Sequence, residues 1–289
     1  MSPKPKSYEE FLAEGRASDA VMVEVERPAE DRATVRLADP GKLNVLSAPL
    51  MLQLLDRTGE LVADPAIRSI VLTGGDRAFS TGGDLRMMRT VVQELGDDEE
   101  EEGAFRPYQW IRNQFGGMVR LVARSDKAFI AALNGPAAGV GLAFALTCDI
   151  SVAARGAILV PAFGRLGLVP EVGTSWALTR ALGYSRAFEF YVAGETLSGE
   201  RAAELGLVNE VVADDELEAR AMQWCDRVAA LPAHALPIAK PLLRAAADAS
   251  WEQSLAMEEL AEPICFTTRG FAEGVEAVIK ATSTPSAQR

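Results

Sequence analysis

The chain has 289 residues, 48% of them hydrophobic, and a formal net charge of −12. So much apolar material suits one large domain with an appended helical part, while the negative charge disfavours nucleic acid and anionic membranes as partners. No apolar run reaches the roughly eighteen residues that a membrane span needs, and Cys148, Cys225 and Cys265, far apart in apolar settings, read as buried thiols of a cytoplasmic protein without disulfide or metal spacing.

Residues 1–20 are a polar extension without the apolar core of a secretion signal. Val21–Glu26 and Ala33–Leu37 alternate like a strand pair around the polar turn Arg27–Arg32. Ser47 is placed to cap a helix carrying Leu50, Met51, Leu54, Leu55 and Leu61 on one side. Ser69–Thr73 reads as a strand feeding the glycine-rich loop Arg77–Leu85, and the acidic block Gly96–Gly103 as a solvated loop. Phe129–Leu133 reads as a buried strand, Asn134–Gly141 as a tight turn, and the apolar run from Leu142 as a buried helix starting near Gly139. A further strand is expected over Ile150–Ala154, then Glu171 just ahead of a helix Thr174–Leu182 closed by Gly183. From Ser185 onward helices dominate, with one strand-like run at Leu207–Val212. Ser198 and Gly206 make a cap-and-stop pair, and Asp215–Ala230, Pro237–Ala247 and Trp251–Glu262 are amphipathic. His234, the single histidine, has no partner near it in sequence and reads as a surface or interface residue.

The Asn134–Gly141 turn has no nucleophile, base or metal ligand. It offers bare backbone at a helix N-terminus, where unpaired N–H groups and the helix dipole favour negative charge. A P-loop would need a lysine that is absent, and a dinucleotide fingerprint would need glycine where Phe144 stands. An oxyanion hole remains as the functional reading; for an isolated Gly-x-Gly, close strand–helix packing is by a wide margin the better explanation. The second glycine loop, at the end of another strand, favours the functional reading. Position alone makes Glu171 a helix-capping carboxylate.

Ala78-Phe-Ser-Thr-Gly-Gly-Asp-Leu85, Asn134-Gly-Pro-Ala-Ala-Gly-Val-Gly141 and Cys148-Asp149-Ile150 together resemble the signature of the crotonase (enoyl-CoA hydratase/isomerase) superfamily, over about Val21 to Lys280. The resemblance implies an α/β fold, with a ββα spiral core over 21–195 and a helical region over 196–289 that builds trimers, often paired into hexamers. It implies an acyl-CoA thioester substrate, with coenzyme A part of the substrate and no other cofactor or metal. The thioester oxygen would be held by the N–H groups of Gly83 and Val140, and Ala78, Gly82, Asp84, Leu85, Gly139, Ala143 and Phe163 would border the substrate. Asp84 and Asp149 match positions that satisfy turn N–H groups, and Met87, Met88 and residues near Phe105–Trp110 match the acyl-tail region. Lys42, Arg77 and, by the resemblance, Lys280 are candidates for the CoA phosphates, with a solvated surface charge the simpler reading of each.

The two glutamates of the superfamily's hydratases fall on Ala143 and Phe163, neither of which ionises. The single-carboxylate isomerases instead resemble Leu166-Gly-Leu-Val-Pro-Glu171-Val-Gly-Thr174. This pattern implies a shift of a Δ3 double bond to Δ2 with Glu171 carrying the proton. A hydratase with a different second acid and a silent acyl-CoA-binding paralogue are the alternatives.

Overall fold

Ser69–Gly74 and Ala128–Leu133 are buried at every position, as parallel strands covered on both faces must be. The computed structural model describes residues 7–75, 77–96 and 105–283. Its strands are β1 (Val23–Ala29), β2 (Arg32–Leu37), β3 (Ser69–Gly74), β4 (Ala128–Leu133), β5 (Ala137–Ala138), β6 (Ile150–Ala154), β7 (Ile158–Val160), β8 (Leu197–Ser198) and β9 (Glu210–Val212). Among the described residues the main sheet runs β1-β2-β3-β4-β6-β9, parallel except for the β1–β2 hairpin. A narrow second sheet runs β5-β7-β8, and the isolated bridges Leu46–Gly83 and Ser80–Ala137 extend it back along the chain. Each turn of chain therefore crosses the main sheet, touches the narrow column and returns through helix or loop, which is the expected spiral.

The helices are α1 (Tyr8–Arg16), α2 (Ala48–Ala63), α3 (Leu85–Gly96), α4 (Phe105–Trp110), α5 (Gly116–Arg124), α6 (Val140–Thr147), α7 (Thr174–Leu182), α8 (Tyr184–Ala193), α9 (Gly199–Glu204), α10 (Leu217–Ala229), α11 (Ala235–Ala246), α12 (Trp251–Phe266) and α13 (Arg269–Ser283). Alternate side chains of β3 and β4 enter two cores. Ile70, Leu72, Phe129 and Ala131 pack with Leu50, Leu54, Met118 and Phe144 on one side. Val71, Ile130 and Ala132 meet Leu217, Ala221 and Cys225 of α10 on the other.

Several sequence expectations change. The stretch 1–20 contains α1, closed by a reciprocal cap in which Glu10 N–H donates to Ser7 Oγ (3.2 Å) and Ser7 N–H donates to Glu10 Oε2 (2.7 Å). The Arg27–Arg32 turn is shorter than expected, because β1 continues to Ala29 through a register shift after Glu26; as an edge strand, β1 tolerates the missing N–H of Pro28. Ser47 sits at the N-cap of α2 but makes no capping bond, and its hydroxyl is buried without a partner. Pro49, at the second helical position, has no N–H to offer it. Pro241 and Pro263 lie inside α11 and α12. The acidic residues 97–103 lie outside the described residues.

Asp149 fastens the C-terminal helices to this core. Its carboxylate accepts from Phe129 N–H (2.9 Å), from Lys240 Nζ (2.8 Å) and from Arg244 Nη2 (2.7 Å). Lys240, 5% exposed, also donates to the carbonyls of Val122 (3.0 Å) and Lys127 (2.7 Å). Burial pulls the ammonium below its ordinary range, and Asp149 opposes that shift. Lys240→Ala should lower stability by roughly 3 kcal/mol, the low end for a broken buried pair because Arg244 still faces Asp149. Equilibrium urea unfolding measures it, and a loss below about 1 kcal/mol would mean that α11 is held by packing instead.

Candidate active site

The two glycine loops meet backbone to backbone. Ser80 N–H donates to the Pro136 carbonyl (3.1 Å) and Ala138 N–H to the Ser80 carbonyl (2.9 Å). A Cβ on Gly82 (φ +86°) would stand 2.6 Å from the Ala138 carbonyl oxygen and 3.3 Å from Val140 N, and one on Gly141 would stand 2.6 Å from the Ser80 carbonyl oxygen. Side chains are sterically excluded at both positions, so glycine is what permits the approach. Gly139 (φ +52°) turns the chain into α6, leaving Val140 N–H as the first donor of that helix. Gly83 lies just beyond Gly82, where an added Cβ would be 2.5 Å from Met88 Cε. Among the described residues neither Gly83 N–H nor Val140 N–H has an acceptor. Free backbone donors of this kind suit an oxygen that gains negative charge.

The first loop is held by Asn44, which sequence reasoning passed over. Fully buried with φ +53°, it donates through Nδ2 to the carbonyls of Ala78 (2.8 Å) and Phe79 (3.3 Å) and accepts from Asp39 N–H (2.9 Å). Its own carbonyl accepts from Ser80 Oγ (2.8 Å), and that oxygen accepts from Gly82 N–H (3.2 Å). A polar relay therefore fixes the peptide that precedes Gly83. Asparagine is among the non-glycine residues that best tolerate a left-handed backbone, and this preference was the available signal.

Beside the first glycine loop lies a cavity of about 790 Å³, lined among others by Asp84, Met87, Met88, Trp110, Phe115 and Glu171, while Gly82, Gly83, Gly139 and Val140 are not among the residues that line it. Glu171 sits in a tight turn that continues through Val172 (φ +46°) and Gly173 (φ +91°), with its carbonyl accepting Thr174 N–H (2.9 Å). Gly173 takes the N-cap place of α7, and among the described residues the Glu171 carboxylate accepts no hydrogen bond. Burial alone raises its pKa above the ordinary 4.5. The capping explanation for this carboxylate therefore lacks a bond to support it.

The other expected residues separate. Asp84 lines the cavity but spends Oδ1 on Arg86 N–H (2.8 Å) and Met87 N–H (3.3 Å), capping α3. Ala78 is buried with its carbonyl on Asn44, and Leu85 is 58% exposed. Ala143 and Phe163 are buried in the packing behind the loops and are not among the residues that line the cavity. Lys42 reaches Asp39 (3.8 Å), Arg77 is exposed, and Lys280 lies far along the chain on α13. A ring nitrogen of His234 contacts Thr268 Oγ1 (3.2 Å). Burial pushes the Cys148 thiol up to about 12, which makes it a poor nucleophile.

If the Asn44 relay holds the loop, Asn44→Ala strands the buried Phe79 carbonyl, leaves the Ala78 carbonyl only the longer bond from Asn134 Nδ2 (3.4 Å), and should cost about 1–3 kcal/mol. Urea unfolding of the variant beside the parent reads this directly, and an unchanged midpoint would refute the relay.

Residues 30–281 match the family model described as Enoyl-CoA hydratase/isomerase. The chain is 34% identical to 4-chlorobenzoyl coenzyme A dehalogenase-2 of an Arthrobacter species over 202 residues, covering 70% of each protein. It is 32% identical to 1,2-epoxyphenylacetyl-CoA isomerase of Escherichia coli K12, over 85% of this chain and 91% of that one. Its structure resembles that of an enoyl-CoA hydratase from Polaromonas sp. JS666, with a TM-score of 0.81 and 28% identity over 90% of this chain and 97% of that one.

Proposed function

The chain belongs to the enoyl-CoA hydratase/isomerase family, and from that premise we propose that this acyl-CoA enzyme moves a double bond from Δ3 to Δ2, with Glu171 as its single proton carrier. The observation that supports this reading is a carboxylate of raised pKa, without a hydrogen bond among the described residues, in a cavity that Asp84 borders next to the Gly83 donor. Glu171 would take the proton α to the thioester, Gly83 and Val140 N–H would hold the resulting dienolate oxygen, and Glu171 would return the proton at the γ carbon. The electrons stay in the substrate, so the reaction needs no cofactor beyond the coenzyme A that the substrate carries. Apolar walls suit the task, because excluding water strengthens the base and protects the dienolate from solvent protons.

Hydration is the second reading, favoured by the name of the Polaromonas neighbour. It asks for a second group to hold the water. Asp84 already caps α3, Ala143 and Phe163 cannot ionise, and Glu14 is the further carboxylate that lines the same cavity.

Glu171→Gln keeps the shape and removes the base. Conversion of 3-enoyl-CoA and exchange of the α proton in D2O should fall together by about 10²–10⁴-fold, with acyl-CoA binding retained. Efficient hydration of 2-enoyl-CoA by the parent, with no conversion of the 3-enoyl isomer, would replace this reading by the second; neither activity would indicate a silent binding protein. Stability supplies an independent check. A carboxyl raised by folding binds its proton more tightly in the folded chain than in the unfolded one. Its contribution is therefore full below the ordinary value of 4.5 and is lost as pH climbs through the folded value. The variant lacks that slope and should melt no earlier than the parent at neutral pH, relative to their difference in acid.

We also propose that the chain assembles as a trimer or a pair of trimers. The C-terminal helices leave Leu243, Trp251, Leu260, Ile264 and Val278 more than half exposed, an apolar load that calls for a partner surface. Sedimentation equilibrium should give three or six times the 30.9 kDa of one chain, and a monomer would overturn the proposal.

A further inference from the structure

Helix α1 forms part of the cavity wall. Ser7, Tyr8, Phe11 and Glu14 all line the space that holds Glu171, and their spacing puts them on one helical face. The helix is firmly seated. Gly15 lies against α2 so closely that an added Cβ would meet Leu52 Cδ1 at 2.8 Å and Ala48 Cβ at 3.1 Å. The hydroxyl of Tyr8 accepts from the buried Gln114 Nε2 (3.0 Å). Gln114 belongs to Ile111–Phe115, a π-helical turn between α4 and α5, and such turns often occur at functional sites.

Across the cavity wall the aromatic rings form a relay. Phe11 stands edge-on to Trp110 (centroids 5.2 Å, 78°), and Trp110 stands edge-on to Phe115 (5.7 Å, 77°). Met87 and Met88 complete the apolar surface, supplying polarisable sulfur that adapts to flat partners.

We propose that α1 closes this cavity into a pocket for a bulky, ring-bearing acyl group, and that Phe11 is the side chain that selects it. The inference rests on reading the cavity as the acyl site. A volume of about 790 Å³ lies in the range of drug-sized pockets, roughly 300–1,000 Å³. A four-carbon acyl group would leave most of that space without contact atoms and so forfeit dispersion. A long unbranched chain could fill it but would lose many rotatable bonds' freedom, whereas a ring arrives already rigid. Edge-to-face aromatic arrays also accept a further ring at the same spacing.

The test is equilibrium binding of three saturated thioesters, which cannot isomerise, to the full chain and to Phe11→Ala. They are 3-phenylpropionyl-CoA, butyryl-CoA and decanoyl-CoA. The phenyl compound should bind about tenfold or more tighter than butyryl-CoA, and Phe11→Ala should remove most of that margin while leaving butyryl-CoA within about twofold. Butyryl-CoA binding as tightly as the phenyl compound, decanoyl-CoA binding tighter, or a margin that survives Phe11→Ala would each overturn the inference while leaving the acyl-CoA reading intact. Binding of none of the three would overturn that reading, and the inference with it. Should Phe11→Ala fail to fold by its melting curve, Phe11→Leu makes the same comparison with the helix packing kept and the aromatic edge removed.

Discussion

The carboxylate of Asp149 is the point on which the architecture depends. It lies between α6 and β6, its own N–H donates to the Phe129 carbonyl (2.8 Å), and its oxygens gather a backbone donor of β4 and two cations of α11. Burying charges is costly unless each finds partners, and here both cations also reach carbonyls, Arg244 through Thr147 (2.7 Å) and Lys240 through Val122 and Lys127. The eight residues of α6 run from this knot to Val140 at the glycine loops. One end of α6 is therefore fixed by charge and the other presents a free N–H. The aim of that donor follows from how the far end is tied down.

Much of this was legible in the chain. Residues 69–73, 129–133, 150–154 and 174–182 read as the elements they form, because short, mostly apolar runs and a helix closed by glycine carry their own signals. The glycine loops were legible because only glycine allows Gly82 and Gly141 to press against neighbouring carbonyls. What escaped depended on tertiary contact. Lys240 and Arg244, four apart on a helix, look like a solvated face until the fold brings Asp149 between them. Helix α1 was overlooked for its polarity, although Ser7 and Glu10 have capping-box spacing and Phe11, Leu12 and Gly15 lie on one side. Asn44 stands in no motif, and only asparagine's general tolerance of a left-handed backbone hinted at its role.

Val172 is an inconsistency of another kind. A β-branched residue at φ +46° is strained, and strain of this sort, on the order of 1–3 kcal/mol, persists only where the surroundings over-determine it. Glu171 is its immediate neighbour. The left-handed pair Val172 and Gly173 reverses the chain in one step between the exposed Leu168–Val169 segment and α7. The carboxylate thereby reaches the cavity without serving as the helix cap its position suggested.

The isolation of that carboxylate has a further consequence. Since no donor among the described residues fixes the proton affinity of Glu171, its basicity varies with how dry the cavity is. An apolar occupant that drives out water lifts the carboxyl further and draws a proton from solution as it enters. By reciprocity, the occupant is held more tightly in acid and released more readily in base, and the coupling grows with the bulk of what fills the space. Occupancy and acidity are thereby linked at this one carboxyl.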